Sequence, residues 1–140
     1  MRSWAVLGIL ALGVVAAGCD DETVGVSELA VVDLVEGTGA AALEGSAVKI
    51  DYTGWLYAAT QPDNKGQEFD SSRGREPLAF VVGSGTMIVG LERGVLGMRV
   101  GGQRRILIPP DLAYGDHGAG AVIPPGASLV FEVTLIEVSS

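Results

Sequence analysis

Chemistry in a polypeptide needs a nucleophile, a proton carrier, a metal cage or a shaped non-covalent surface, and the first three are thinly supplied here. The chain holds one cysteine, Cys19, and one histidine, His117. One cysteine cannot close an internal disulfide or build a zinc cluster. A histidine between Asp116 and Gly118, with no second ligand beside it, reads as a loop residue. Ser71-Ser72 has no usable histidine base and follows Phe69-Asp70 as a turn would. Gly83-Ser84-Gly85 runs into Thr86-Met87 and not into the Lys-Ser/Thr of a phosphate-cradling loop, so its spacing marks a turn. Covalent and metal-assisted catalysis are therefore not expected, and neither metal nor cofactor is called for. What remains is a set of aromatic side chains and one carboxylate at strand and loop ends: Tyr52, Phe69, Asp70, Tyr114 and Phe131.

The elements that must position these residues are mostly strands. Val48, Ile50 and Tyr52 alternate with Lys49, Asp51 and Thr53, the period of a half-buried strand. Leu129, Phe131, Val133 and Leu135 repeat the pattern, opposite Val130, Glu132, Thr134 and Ile136. Residues 29–35, 78–82 and 104–108 are further β-type runs, punctuated by Gly, Pro and Asp turns that suggest a mainly antiparallel sheet. One segment departs from this: Ile88, Leu91 and Val95 have helical spacing, with Glu92 and Arg93 pointing elsewhere. Gly90, Gly94 and Gly97 weaken that helix by up to about 1 kcal/mol each, so it needs tertiary packing to persist. A curved sheet wrapped on one short helix, an α+β fold, is the expected arrangement.

Composition is consistent with one globular domain. The chain has 140 residues, of which 48% are hydrophobic and 19% charged, and 21 glycines that fit many short elements and turns. A net charge of -8 argues against nucleic acid. The basic residues Arg73, Arg75, Arg104 and Arg105 are scattered among apolar and turn residues, as surface charges are.

The first residues read as an address. Arg2 precedes an apolar run of about 15 residues, short of the roughly 20 a spanning helix prefers. Small residues and an abrupt polar change follow, the pattern of a secretory signal. Val15-Ala16-Ala17-Gly18-Cys19 resembles the bacterial lipobox, although Ala16 stands where Leu is usual. This implies a lipoprotein-type signal peptide at 1–18, a lipidated Cys19, an acidic tether over 19–28 and a folded domain over 29–140. The expected location is the bacterial cell envelope, lipid-anchored and facing the periplasm or the outside. Asp20 resembles an inner-membrane retention signal of enteric bacteria, a rule that varies between bacterial groups, so the choice of membrane stays open.

Six short motifs occur in a fixed order: Tyr52-Thr53-Gly54, Phe69-Asp70-Ser71-Ser72-Arg73, Gly94-Val95-Leu96-Gly97-Met98, Val100-Gly101-Gly102-Gln103-Arg104, Ala113-Tyr114-Gly115, and Ile123-Pro124-Pro125 with Leu129-Val130-Phe131-Glu132-Val133. Over residues 30–138 this order resembles the FKBP-type peptidyl-prolyl cis-trans isomerases. The resemblance implies a five- to six-stranded antiparallel sheet folded over a short helix, with the site between them. Carried over residue by residue, Asp70, Tyr114, Phe69 and Phe131 would be catalytic. Tyr52, Arg75, Met87, Ile88, Leu91 and Ile123 would bind substrate, with Arg75 matching an arginine that supports the aspartate. Partners would be proline-containing unfolded or folding polypeptides and macrolide inhibitors. A monomer is expected, with no dimerisation helix upstream of the domain.

Such a site needs no bond breaking. Peptide rotation faces a barrier of about 18–20 kcal/mol because resonance makes the bond partly double. Twisting removes that resonance and the charge separation on the carbonyl, so an apolar aromatic pocket favours the twisted amide over the hydrated planar one. Three departures from the family pattern bear on rate. Leu91 stands where the pocket floor is usually Trp, Leu78 replaces a common Phe, and Ala119 replaces a frequent His in the loop that overhangs the site in this family. A catalytically weak binding or chaperone module is the alternative reading that Leu91 sustains. Residues 57–66 form a longer, turn-rich insertion, expected as a solvent-exposed bulge.

Overall fold

The computed structural model describes residues 26–139; Cys19 and the signal-like segment lie outside them. Six strands form one antiparallel sheet: β1 (Ala30–Val35), β2 (Ala47–Tyr57), β3 (Lys65–Ser71), β4 (Leu78–Val81), β5 (Gln103–Ile108) and β6 (Leu129–Ser139). They run in the order β1-β5-β6-β2-β3, and β4 pairs with the first part of β2. Among the described residues a single α-helix, α1 (Val89–Val95), packs on β5. The α+β class and the sheet over a short helix are as expected, with six strands.

The alternation along β2 does its work: Val48 and Ile50 are buried while Lys49 and Asp51 are exposed. β6 supplies Leu129, Phe131, Val133 and Leu135 to the same core, with α1 contributing Leu91 and Val95. The register is interrupted once between these two strands. Lys49 faces Glu137 and Ile50 faces Leu135, so Ile136 is bulged out and exposed. Val130, expected on the polar face, is fully buried there.

The glycines of α1, a weakness by propensity alone, have a packing reason. A Cβ on Gly90 would lie 2.3 Å from Ile108 Cγ2, and one on Gly94 would lie 2.7 Å from Ile106 Cδ1. The helix backbone therefore rests directly on β5. Glu92, expected to point away from the core, is instead buried.

The 57–66 segment is also more ordered than a plain bulge. Tyr57 still belongs to β2, a 3₁₀ turn spans Pro62–Asn64, and Lys65 already opens β3. Asp63 and Asn64 take positive φ, 56° and 60°, which short polar side chains tolerate best. The turn is tied to the outer face of the sheet. Lys65 Nζ lies 3.0 Å from Glu132 Oε2 and 4.4 Å from the Trp55 ring centre, and Arg105 Nη2 bridges Glu132 at 2.9 Å and Asp63 at 3.5 Å. At the same end of the sheet, the Tyr57 N–H donates to the Ser128 carbonyl and the Val26 N–H donates to Ser128 Oγ, both at 2.9 Å, so Val26 of the 19–28 segment docks just before β6.

Candidate active site

β2 and β3 carry the site's polar centre. Tyr52 leaves β2 toward the core side, and its Oη donates to Asp70 Oδ2 at 2.7 Å. Asp70 Oδ1 accepts the Ser71 N–H at 2.9 Å and Arg75 Nη2 at 2.6 Å. Arg75 is fixed in turn by the Ser71 carbonyl, which accepts from both its Nε and its Nη2. The carboxylate is thus held by three donors from two sides.

These contacts set the protonation states. Partial burial alone would push the Asp70 carboxyl up, but the hydrogen bonds from Tyr52, Arg75 and the Ser71 N–H, with the Arg75 charge, hold it below its ordinary 3.8. Burial, then the bond to Asp70, pushes the Tyr52 phenol up to about 12. Burial also raises Tyr114, and the Asp70 charge adds to it. At neutral pH the site holds one carboxylate and two neutral phenols.

The apolar part is built on β6. Phe131 stands edge-on to Phe69, their ring centres 5.6 Å apart at 87°, and lies 6.1 Å from Tyr52 at 45°. Such edge contacts fix ring positions. Gly54 makes room for them: a Cβ there would lie 2.7 Å from Phe69 Cζ and 3.0 Å from Phe131 Cε2. Leu91, Ile123 and Phe131 are buried in one apolar cluster, and Tyr52, Phe69, Met87 and Ile88 pack at its half-exposed edge. Tyr114 follows a 3₁₀ turn at Pro110–Leu112 and is 37% exposed, so it stands at the rim. The ten residues expected at the site fall into this cluster, its polar centre beside Tyr52, and the Tyr114 rim; Cys19 falls outside the described residues.

The loop 115–126, which brings Ile123 into the buried cluster, is folded on itself. Ala119 and Ile123 exchange backbone hydrogen bonds at 2.8 and 3.1 Å, and the Gly126 N–H donates to the Gly115 carbonyl at 2.8 Å. Gly118 has φ +68, and a Cβ there would lie 2.2 Å from the Ile123 carbonyl oxygen.

Sequence reasoning missed three contributors. Gly54 was visible only as part of a motif. Ser72, read as a turn residue, is 5% exposed and clamps Tyr52: its Oγ accepts the Tyr52 N–H at 3.0 Å and donates to Asp51 Oδ1 at 3.1 Å. Glu92 is the third. Its carboxylate accepts from three backbone N–H groups of the loop before α1. No short-range pattern announces any of them, because each is defined by what another element brings to it.

Comparison with known proteins is consistent with this geometry. The family model described as FKBP-type peptidyl-prolyl cis-trans isomerase matches residues 39–136. An FK506-binding protein of Neisseria meningitidis serogroup B is 45% identical over 111 residues, covering 79% of this chain and 95% of the relative. Among solved structures, AtFKBP13 matches with a TM-score of 0.69 and 39% identity over 84% of this chain and 98% of that one. The peptidyl-prolyl cis-trans isomerase of Pseudomonas syringae pv. tomato matches with a TM-score of 0.67 and 37% identity over 80% and 76%.

Proposed function

The chain belongs to the FKBP-type peptidyl-prolyl cis-trans isomerases, and from that premise we propose how its groove accelerates X-Pro rotation and where the protein works. The observation that carries the mechanism is the Tyr52–Asp70–Arg75 lock beside the Phe69–Phe131 pair. A carboxylate gripped by three donors and held below its ordinary value is a poor proton carrier but a fixed source of field. Phe69, Phe131 and Leu91 enclose the proline ring and keep water from the amide. The Ile88 N–H and the Tyr114 hydroxyl hold substrate carbonyls. Asp70 disfavours the planar amide, whose carbonyl oxygen carries negative charge, relative to the twisted one, which has lost that charge. Arg75 and Tyr52 keep Asp70 aimed, while Met87 and Ile123 close the sides.

The expected outcome is a large loss of kcat/KM in Asp70→Ala, Tyr114→Phe and Phe131→Ala, read in a protease-coupled proline-peptide assay. Unchanged turnover in all three overturns the assignment of the groove. Suppressed aggregation of a proline-free client without isomerase turnover would instead support a binding module.

The location rests on residues 1–19. The Arg2 start, the apolar run and Ala17-Gly18-Cys19 support cleavage before Cys19 and its lipidation. Several acyl chains, each contributing about 0.8 kcal/mol per buried methylene, would hold a monomeric isomerase at the envelope surface, where exported chains fold. Cys19→Ala should move the protein from the membrane fraction to the soluble one. An unchanged distribution would refute the anchor.

A further inference from the structure

Glu92 is the one charged residue buried among the described residues, at 6% exposure. Placing a carboxylate there costs several kcal/mol unless donors surround it. No Lys or Arg among the described residues pairs with it; backbone does. Oε1 accepts the N–H groups of Gly83 at 2.8 Å and Gly85 at 3.3 Å, and Oε2 accepts that of Met87 at 3.0 Å. Gly83 and Gly85 take φ +88 and +84, so the strap from 83 to 87 curls around the carboxylate. An ionised carboxylate accepts at both oxygens, whereas a carboxamide presents a donor on one side. The site therefore discriminates in favour of Glu over its neutral isostere.

The same residue grips the far side of Ile88. The Glu92 backbone N–H donates to the Ile88 carbonyl at 3.2 Å, alongside that of Leu91 at 3.1 Å. The Met87 N–H and the Ile88 C=O are thus both tied to Glu92, and the Met87–Ile88 peptide unit lies between them. Among the described hydrogen bonds, the Ile88 N–H on that unit donates to nothing.

We propose that Glu92 is a positioning residue for the isomerase: by clamping the 83–87 strap it fixes the Met87–Ile88 peptide and keeps the Ile88 N–H available to a substrate carbonyl, without touching substrate itself. This rests on the groove reading above and assigns the strap's order, and hence part of the rate, to a side chain behind the groove wall.

The test compares the wild-type chain with Glu92→Gln, Asp70→Ala and Ser128→Ala, which removes a different buried polar group, one that serves Val26. Amide hydrogen exchange and kcat/KM are measured well below each Tm. In Glu92→Gln the amides of Gly83, Gly85 and Met87 should exchange faster, with those of β2 and β6 still protected. Its kcat/KM should fall on the order of ten-fold, as expected when a substrate-holding group is misplaced. Ser128→Ala should lose stability without losing rate. Should Glu92→Gln fail to fold, Glu92→Asp, which withdraws the carboxylate by one methylene, is read in the same way. A rate within two-fold of wild type, or exchange that rises uniformly across the sheet, overturns the proposal. Turnover abolished in Asp70→Ala but untouched in Glu92→Gln overturns this proposal alone. No turnover in the wild-type chain overturns the groove reading with it.

Discussion

Asp70 receives a phenol on one oxygen and a guanidinium on the other, and each donor can be removed singly. Tyr52→Phe deletes the phenol and leaves the ring against Phe131. The cost should be about 1 kcal/mol, below the roughly 1.5–3 kcal/mol usual for a bond to a charged group, because the Asp70 side chain is 44% exposed. Its pH dependence follows from both partners. The lowered Asp70 value contributes stability that is present above 3.8 and lost as pH falls through the folded value. The raised Tyr52 value contributes stability that is complete below 10.0 and lost as pH rises toward about 12. Urea unfolding should therefore show the variant's deficit at neutral pH and its disappearance in acid; a deficit constant into acid would refute the coupling. Gly54→Ala tests the aromatic side. Its new methyl group would meet Phe69 Cζ at 2.7 Å, and overpacking of that kind costs about 1–3 kcal/mol. The Phe69 ring must turn to relieve it, so kcat/KM should drop more steeply than Tm does. Most of the site was legible at this scale through motif order, because Tyr52, Phe69, Asp70 and Phe131 sit in recognisable neighbourhoods. Ser72 and Glu92 were not, since a buried polar side chain is explained only by the donors and acceptors that distant backbone supplies.

At the level of elements, α1 poses a choice between propensity and packing. Replacing Gly90 by Ala should gain about 1 kcal/mol of helix propensity. The added Cβ, however, would stand 2.3 Å from Ile108 Cγ2 in the core of β5, and relief requires α1 to lift from the sheet. Packing should win: Gly90→Ala is expected to lower Tm, with kcat/KM falling as Leu91 and Ile88 move with the helix. A higher Tm would show that propensity dominates. The strands β2 and β6 were legible because one face of each is core and the other is wet, so their pattern alternates. β3 was not, because Lys65, Gly66, Gln67 and Glu68 carry no apolar alternation and its pairing with β2 is broken by two register shifts. What holds its start is the charge cluster on the outer face. Glu132 accepts both Lys65 and Arg105 there, and Glu132→Gln should speed proteolysis or exchange over residues 58–65 while leaving kcat/KM within two-fold. A loss of rate equal to that of Asp70→Ala would mean that the outer face reaches the groove.

For the molecule as a whole, the arrangement separates catalysis from proton traffic. The sheet presents aromatic rings from β2, β3 and β6 and a locked carboxylate on β3, beside a strap held from behind by α1, and none of these has to change protonation for an amide to rotate. The groups that titrate in the groove do so at the extremes. Asp70 lies below 3.8, Tyr114 above 10.0 and Tyr52 near 12. Across the neutral range the charge state of these three groups is therefore constant, with Asp70 ionised and both phenols neutral. An enzyme working by general acid–base chemistry would show a bell-shaped profile centred on its working groups. This one should give a kcat/KM that is flat across that interval, and should fall only where Asp70 takes up a proton or a phenol gives one up. The acid limb should move to higher pH in Tyr52→Phe, because losing that donor lets the Asp70 carboxyl rise toward its ordinary value. A step in the neutral range of the wild-type profile would mean that a titrating side chain takes part in rotation, and the field-and-shape account of the groove would have to be abandoned.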